Sequence, residues 1–215
     1  MRLRNIPEAK DIVENNPFVI QNPFALRGNW TSFWKNNHPV HLEVGMGKGR
    51  FLMEMAQKHP KNNYLGMELY DSVLLRAIQK RQAMDIPIEN LYFLCMDARM
   101  LPEIFGEKEI QKIYLNFSDP WPKARHAKRR LTSRQFLQRY AQILIPGGTV
   151  EFKTDNLDLF EFSLTEIREA GWRLLSHTYD LHKDKEMNRD NVMTEYEEKF
   201  SARGNPIYKL SAQFI

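Results

Sequence analysis

Asp119 precedes Pro120, and Trp121 stands between Pro120 and Pro122, in the stretch N-F-S-D-P-W-P, Asn116 to Pro122, which the segment K-A-R-H-A-K-R-R follows directly. A fixed carboxylate beside an aromatic plate suits a flat nitrogen heterocycle, which the ring can stack and the acid can orient. Lys123, Arg125, His126, Lys128, Arg129 and Arg130 then offer charge and hydrogen bonds to the phosphates of a nucleic acid carrying that base. Each part has a plainer reading alone. Ser-Asp-Pro starts turns, proline ends strands, and a charge run is commonly a solvated face. A turn, however, has no need of a tryptophan.

A second constellation lies earlier, in H-L-E-V-G-M-G-K-G-R, His41 to Arg50. Gly45, Gly47 and Gly49 permit a tight turn and close approach of a ligand to the backbone. Their spacing is G-x-G-x-G, and Glu43 sits just before them, where a carboxylate would repel a pyrophosphate. That argues against a nicotinamide-dependent oxidoreductase. It suits a cationic ligand such as S-adenosylmethionine, which carries an ammonium and a sulfonium. Glu68 and Asp97, with Ala98 beside it, fall where a ribose and an adenine amino group would accept acidic neighbours. Singly, such acids are commonly helix caps or solvated strand ends. Three at the carboxyl ends of successive strands occupy the edge where open α/β sheets bind ligands.

The elements that must position these residues alternate along the chain, as in an α/β protein with a largely parallel sheet. Strands are expected at Val40 to Val44, Tyr64 to Leu69, Leu91 to Met96, Ile113 to Phe117 and Thr149 to Lys153. Amphipathic helices are expected at Asp71 to Met84, Ser133 to Leu144 and Asn156 to Ala170, the last ended by Gly171. Trp172 to Leu181 and Ile207 to Ile215 read as two further strands able to pair antiparallel. Residues 1–39, broken by Pro7, Pro17, Pro23 and Pro39, are expected to form an N-terminal arm, and residues 40–215 a single domain.

Composition sets the outer limits. The chain has 215 residues, 42% hydrophobic and 12% aromatic, enough for one packed domain. Its 31 Lys and Arg exceed 27 Asp and Glu only slightly, but no acid occurs between Pro120 and Val150. The positive charge is therefore local, which points to a specific anionic partner. The single Cys95 excludes an internal disulfide, and the scattered histidines make no metal-binding spacing, so no metal is expected. The start of the chain has no apolar segment after its basic residues, and no long apolar span occurs elsewhere. A cytoplasmic protein without a membrane partner is expected.

E-V-G-M-G-K-G, M-E-L, M-D-A, N-F-S-D-P-W-P-K-x-R-H-x-K-R-R, F-K-T-D-N and M-T-E-Y-E-E-K-F, in this order, closely resemble the bacterial tRNA (guanine-N7-)-methyltransferases. The similarity runs from the first strand to the C-terminus. The resemblance implies a Rossmann-like class I methyltransferase fold: a mostly parallel seven-stranded sheet with a terminal antiparallel pair and helices on both faces. It implies S-adenosylmethionine as donor and N7 of a guanine in the variable region of tRNA as acceptor. By matching position it implies cofactor contacts at Glu43, Glu68, Asp97 and Asp119, with Asp119 also the catalytic acid. Substrate contacts would fall at Lys123, Asp155 and Thr194, Glu195, Tyr196 and Glu197. One departure lies in the arm, where many relatives read R-x-K-P-W-A and this chain reads R-N-I-P-E-A.

The late motifs also have local readings, Asp155 as a helix N-cap and Thr194 to Glu197 as a capping box. The Watson–Crick edge of guanine presents two donor groups, which carboxylates such as Asp155 and Glu197 could read. A non-catalytic tRNA-binding module on the same fold, and a methyltransferase acting on another nucleic acid or an amine, remain as alternatives. The sequence leaves monomer and homodimer equally open.

Overall fold

The computed structural model describes residues 6–215; the first five residues of the expected arm lie outside the described residues. Seven strands form one sheet: β1 (Val40–Val44), β2 (Asn63–Glu68), β3 (Leu91–Cys95), β4 (Ile110–Asn116), β5 (Leu144–Thr154), β6 (Arg173–Thr178) and β7 (Tyr208–Gln213). Their order is β3-β2-β1-β4-β5-β7-β6. The first five are mutually parallel, and β7 runs antiparallel to both β5 and β6. Strand order reverses beside β1, so the connections leaving the paired strands β1 and β4 pass to opposite faces and open a crevice of the kind that binds ligands in such sheets.

Helices cover both faces. On one face α1 (Ala9–Glu14), α3 (Arg50–Lys58) and α4 (Asp71–Gln82) bury Val13, Leu52, Ala56, Leu74 and Ile78 against Tyr64, Leu91 and Phe93. On the other, α2 (Trp30–Trp34), α5 (Leu101–Ile104), α6 (Arg134–Ile143) and α7 (Leu157–Glu169) pack Trp30, Ile104, Leu137 and Phe160 over Leu42, Leu65 and Ile113. A final short helix, α8 (Glu195–Ser201), precedes β7. The alternation of strand side chains between the faces sets each residue's side. Leu42 and Val44 face one core, while His41 and Glu43 face the other way.

The segment before β1 packs more closely than its broken periodicity implies. Trp30 is buried, its indole Nε1–H donates to the Ile104 carbonyl at 2.9 Å, and Glu109 accepts from the backbone N–H groups of Gly28, Trp30 and Gly106. Val19 makes a parallel bridge to Phe93, which covers the β3 edge. β5 begins at Leu144, five residues before the expected start, because Gly147 and Gly148 pair with Phe214 near the chain end.

Candidate active site

The loop from β1 into α3 carries Gly45, Gly47 and Gly49 at φ of +75°, +58° and +73°. Side chains rarely adopt this region, so glycine is what allows three left-handed residues in five. The backbone N–H groups of Gly45 and Met46 donate to Met67 O, which folds the turn back onto the end of β2.

Glu43 and Glu68 flank that turn. Glu68 Oε2 accepts from Gly47 N–H at 3.0 Å, and Oε1 accepts from Leu69 N–H at 2.9 Å and Tyr70 N–H at 3.2 Å. Burial pushes the Glu68 carboxyl up, and the Asp119 charge adds to the push against those three backbone donors. Glu43 is only 2% exposed. Its Oε1 accepts from Asn116 Nδ2 at 2.7 Å, and its Oε2 has no partner among the described residues. Burial raises this carboxyl to about 8, opposed by the Asn116 hydrogen bond and the Lys153 charge. A buried carboxylate oxygen without a partner is costly unless something cationic or proton-donating reaches it. Asp97 is engaged differently: it caps the short 3-10 helix Ala98–Met100, accepting from Arg99 N–H at 2.8 Å and from the Arg99 guanidinium at 2.7 Å.

β4 ends beside β1, and the corner after it is strained. Phe117 sits at φ +53° and Trp121 at φ +43°, both bulky residues in the left-handed region. Such residues cost roughly 1–3 kcal/mol each and persist where surroundings over-determine them. Arg130 supplies part of that restraint: Nε donates to Pro120 O at 3.0 Å and Nη2 to Trp121 O at 3.1 Å, with the guanidinium 4.3 Å from the Phe162 ring centre. The guanidinium thus holds the corner. Asp119 lies exposed at the bend. Trp121 meets His126 edge-on at 5.7 Å and carries the Arg129 guanidinium 4.9 Å from its ring centre. His126 lies within the 3-10 helix Ala124–Arg129, from which Arg125 and Lys128 project exposed, as does Lys123 before it.

α8 closes the site from the β5 side. Thr194 caps it by accepting from Glu197 N–H at 2.9 Å, as the capping-box pattern predicts. Glu195 pairs with Lys80 and Lys48, and Glu198 with Arg50, tying α8 to α4, the glycine turn and α3. Tyr196 OH donates to Asp155 Oδ2 at 3.1 Å, and its ring lies 4.9 Å from that of Phe117. Asp155 is not the cap of α7. Asn156 is, accepting from Leu159 N–H at 2.8 Å, which leaves Asp155 to face α8. Glu197, in contrast, is fully buried.

The structure thus brings Glu43, Glu68, Asp119, Asp155 and Tyr196 to the carboxyl edge of β1, β2, β4 and β5. A separate cavity of about 910 Å³ lies over the face of β1, β4 and β5, lined by His41, Lys112, Tyr114, Glu151 and Lys209. It shares Asn116 and Lys153 with the site but contains none of the glycines. Among the described residues no cluster of His, Cys, Asp and Glu could hold a metal ion, and no helix is long and apolar enough to cross a membrane.

A family model described as putative methyltransferase matches residues 37–210. A tRNA (guanine-N(7)-)-methyltransferase of Lachnoclostridium phytofermentans is 52% identical over 212 residues, covering 99% of this chain and 98% of its own. One of Brevibacillus brevis is 48% identical, covering 100% of this chain and 99% of its own. The chain belongs to the tRNA (guanine-N7-)-methyltransferase family. Among solved structures, the 16S rRNA methyltransferase KamB superposes with a TM-score of 0.65 at 16% identity, over 87% of this chain and 93% of that one. That likeness shows the class I methyltransferase fold. In this family member the motif residues cluster at the crevice, while Arg130 and Glu197 turn inward.

Proposed function

We propose that this chain transfers a methyl group from S-adenosylmethionine to N7 of a guanine in the variable region of tRNA, acting in the cytoplasm. The observation that carries the reading is the meeting of two ligand faces at one sheet edge. Glu43 and Glu68 flank the glycine turn, and Asp119 with the Asp155–Tyr196 pair stands directly beyond them. S-adenosylmethionine, when bound, supplies an electrophilic methyl group on its sulfonium. The unpartnered Glu43 oxygen suits its ammonium, and Glu68 suits ribose hydroxyls. Asp97 would reach adenine beside Ala98 while keeping its bond to Arg99. Asp155 suits the donors on the Watson–Crick edge of guanine, and Asp119 lies where charge accumulates as the base is methylated. Guanine N7 has an in-plane lone pair and no proton, so no side chain need act as general base. Incubating the protein with labelled S-adenosylmethionine and unmodified tRNA, then digesting to nucleosides, should yield labelled 7-methylguanosine. Label in another nucleoside, or binding of tRNA without label, would contradict the reading.

Cofactor binding should carry a proton signature. With its carboxyl raised to about 8, Glu43 is protonated in the free protein at neutral pH, whereas a bound ammonium favours the ionised form. Affinity should therefore rise with pH by up to about tenfold per unit between roughly pH 6 and 7.5, with release of up to one proton. Calorimetry in buffers of different ionisation enthalpy measures both. A flat affinity without proton release would remove the cation from Glu43.

Lys123, Arg125 and Lys128 are exposed and free to meet phosphates. Arg125→Ala and Lys128→Ala should each reduce the slope of log K against log salt by about 0.7 to 0.9. Arg130→Ala should instead slow methylation at saturating tRNA, because it releases the Pro120 and Trp121 carbonyls. Filter binding across salt concentrations separates the two effects.

A further inference from the structure

Glu197 lies in the segment that the family resemblance marks for substrate contact, yet its exposure is 0%. Its Oε2 accepts from Lys153 Nζ at 2.6 Å. Its Oε1 accepts from Asn191 Nδ2 at 2.7 Å and lies 3.3 Å from His182 Nε2. Lys153 is equally committed, its Nζ donating also to Val192 O at 2.9 Å and Asn191 Oδ1 at 3.1 Å. Neither group has a face left for a base.

The position of the pair is informative. Lys153 is on β5 two residues before Asp155, and Glu197 is the residue after Tyr196. The ion pair therefore spans the two elements whose tips meet in the Tyr196–Asp155 hydrogen bond. α8 has only seven residues and would hold no fixed geometry by itself. Its outer ties, Glu195 to Lys80 and Glu198 to Arg50, are exposed pairs of the weak kind. The buried pair is what sets how far Tyr196 stands from Asp155 and Phe117.

We propose that Lys153 and Glu197 are positioning residues for guanine methylation, a buried strut that holds Tyr196 on one oxygen of Asp155 and leaves the other oxygen aimed at the base. This rests on the guanine reading above. A buried charge left without its partner is strongly destabilising, whereas replacing both partners by apolar residues is often tolerated. The test therefore uses Lys153→Met with Glu197→Leu in the full chain. The KM for tRNA should stay within about twofold, while the single-turnover rate at saturating cofactor and tRNA falls about 30-fold, as misplacement of a positioning group does.

Tyr196→Phe, made alone, should also slow the reaction, and combining it with the strut variant should add no further loss, since both act through Asp155. A residue that merely supports the fold would give multiplied losses. If the strut variant does not fold, Lys153→Gln with Glu197→Gln, which leaves no buried charge unpaired, replaces it in the same cycle. Substrate tRNA carrying inosine at the target gives a further reading: the strut variants and Asp155→Asn should shift the ratio of guanine to inosine methylation in the same direction, since the strut acts through Asp155. A strut variant with the full rate, or losses that multiply with Tyr196→Phe, would overturn the inference. Wild-type protein that forms no 7-methylguanosine in the same assay would overturn the underlying reading instead.

Discussion

Asp119→Asn lowers the single-turnover methylation rate by about 10²- to 10³-fold, while the affinities for cofactor and tRNA change only severalfold. The substitution keeps the size and shape of the side chain and removes its charge. As N7 gains the methyl group, positive charge develops in the imidazole ring of guanine, and in the proposed mechanism the Asp119 carboxylate stabilises that charge. The backbone that carries Asp119 is constrained on both sides. Phe117 and Trp121 are held at positive φ on either side, and Arg130 binds the carbonyls of Pro120 and Trp121. Because no proton leaves N7, the rate at saturating cofactor should be nearly flat from about pH 6.5 to 8.5. Quench-flow measurements check both statements. A rate climbing tenfold per unit would require a general base, and full activity in Asp119→Asn would remove the electrostatic role.

Glu68→Ala should weaken S-adenosylmethionine binding by at least about 30-fold and leave tRNA affinity largely intact. Glu68 accepts backbone hydrogen bonds from Gly47 in the glycine turn and from Leu69 and Tyr70 at the start of the next loop. One carboxylate thus shapes both walls of the crevice, and the proposed ribose contact falls on the same group. Hydrogen bonds to charged groups contribute about 1.5–3 kcal/mol each, so losing even one ligand contact with some loss of shape reaches the stated effect. Titration calorimetry reads it directly. Unchanged cofactor affinity would move the ribose elsewhere.

The parallel strands could be read from sequence because each is an apolar run bounded by turn residues, and the acids at their ends fell on the predicted edge. Thr194 as a cap was equally legible, since it depends on residues three apart. What escaped depends on contacts between distant positions. Trp30 enters the core from a five-residue helix too short to display a period. Glu197 reads as an exposed acid until Lys153, far along the chain, is seen to bury it. Arg130 looks like one more base in a cationic run, and only the folded corner reveals the two carbonyls it holds. Asn156 displaced Asp155 as the cap by one residue, a choice that local propensity does not make, as both are good caps.

The central claim is that the acceptor is N7 of guanine, held by this edge of the sheet. It is tested most directly with a tRNA whose target guanosine is replaced by 7-deazaguanosine, which preserves the Watson–Crick edge and ring shape and removes the acceptor nitrogen. Binding should stay within about twofold of the unmodified tRNA, with no transfer of labelled methyl to that nucleoside. Methylation of the 7-deaza substrate at the undiminished rate would contradict it.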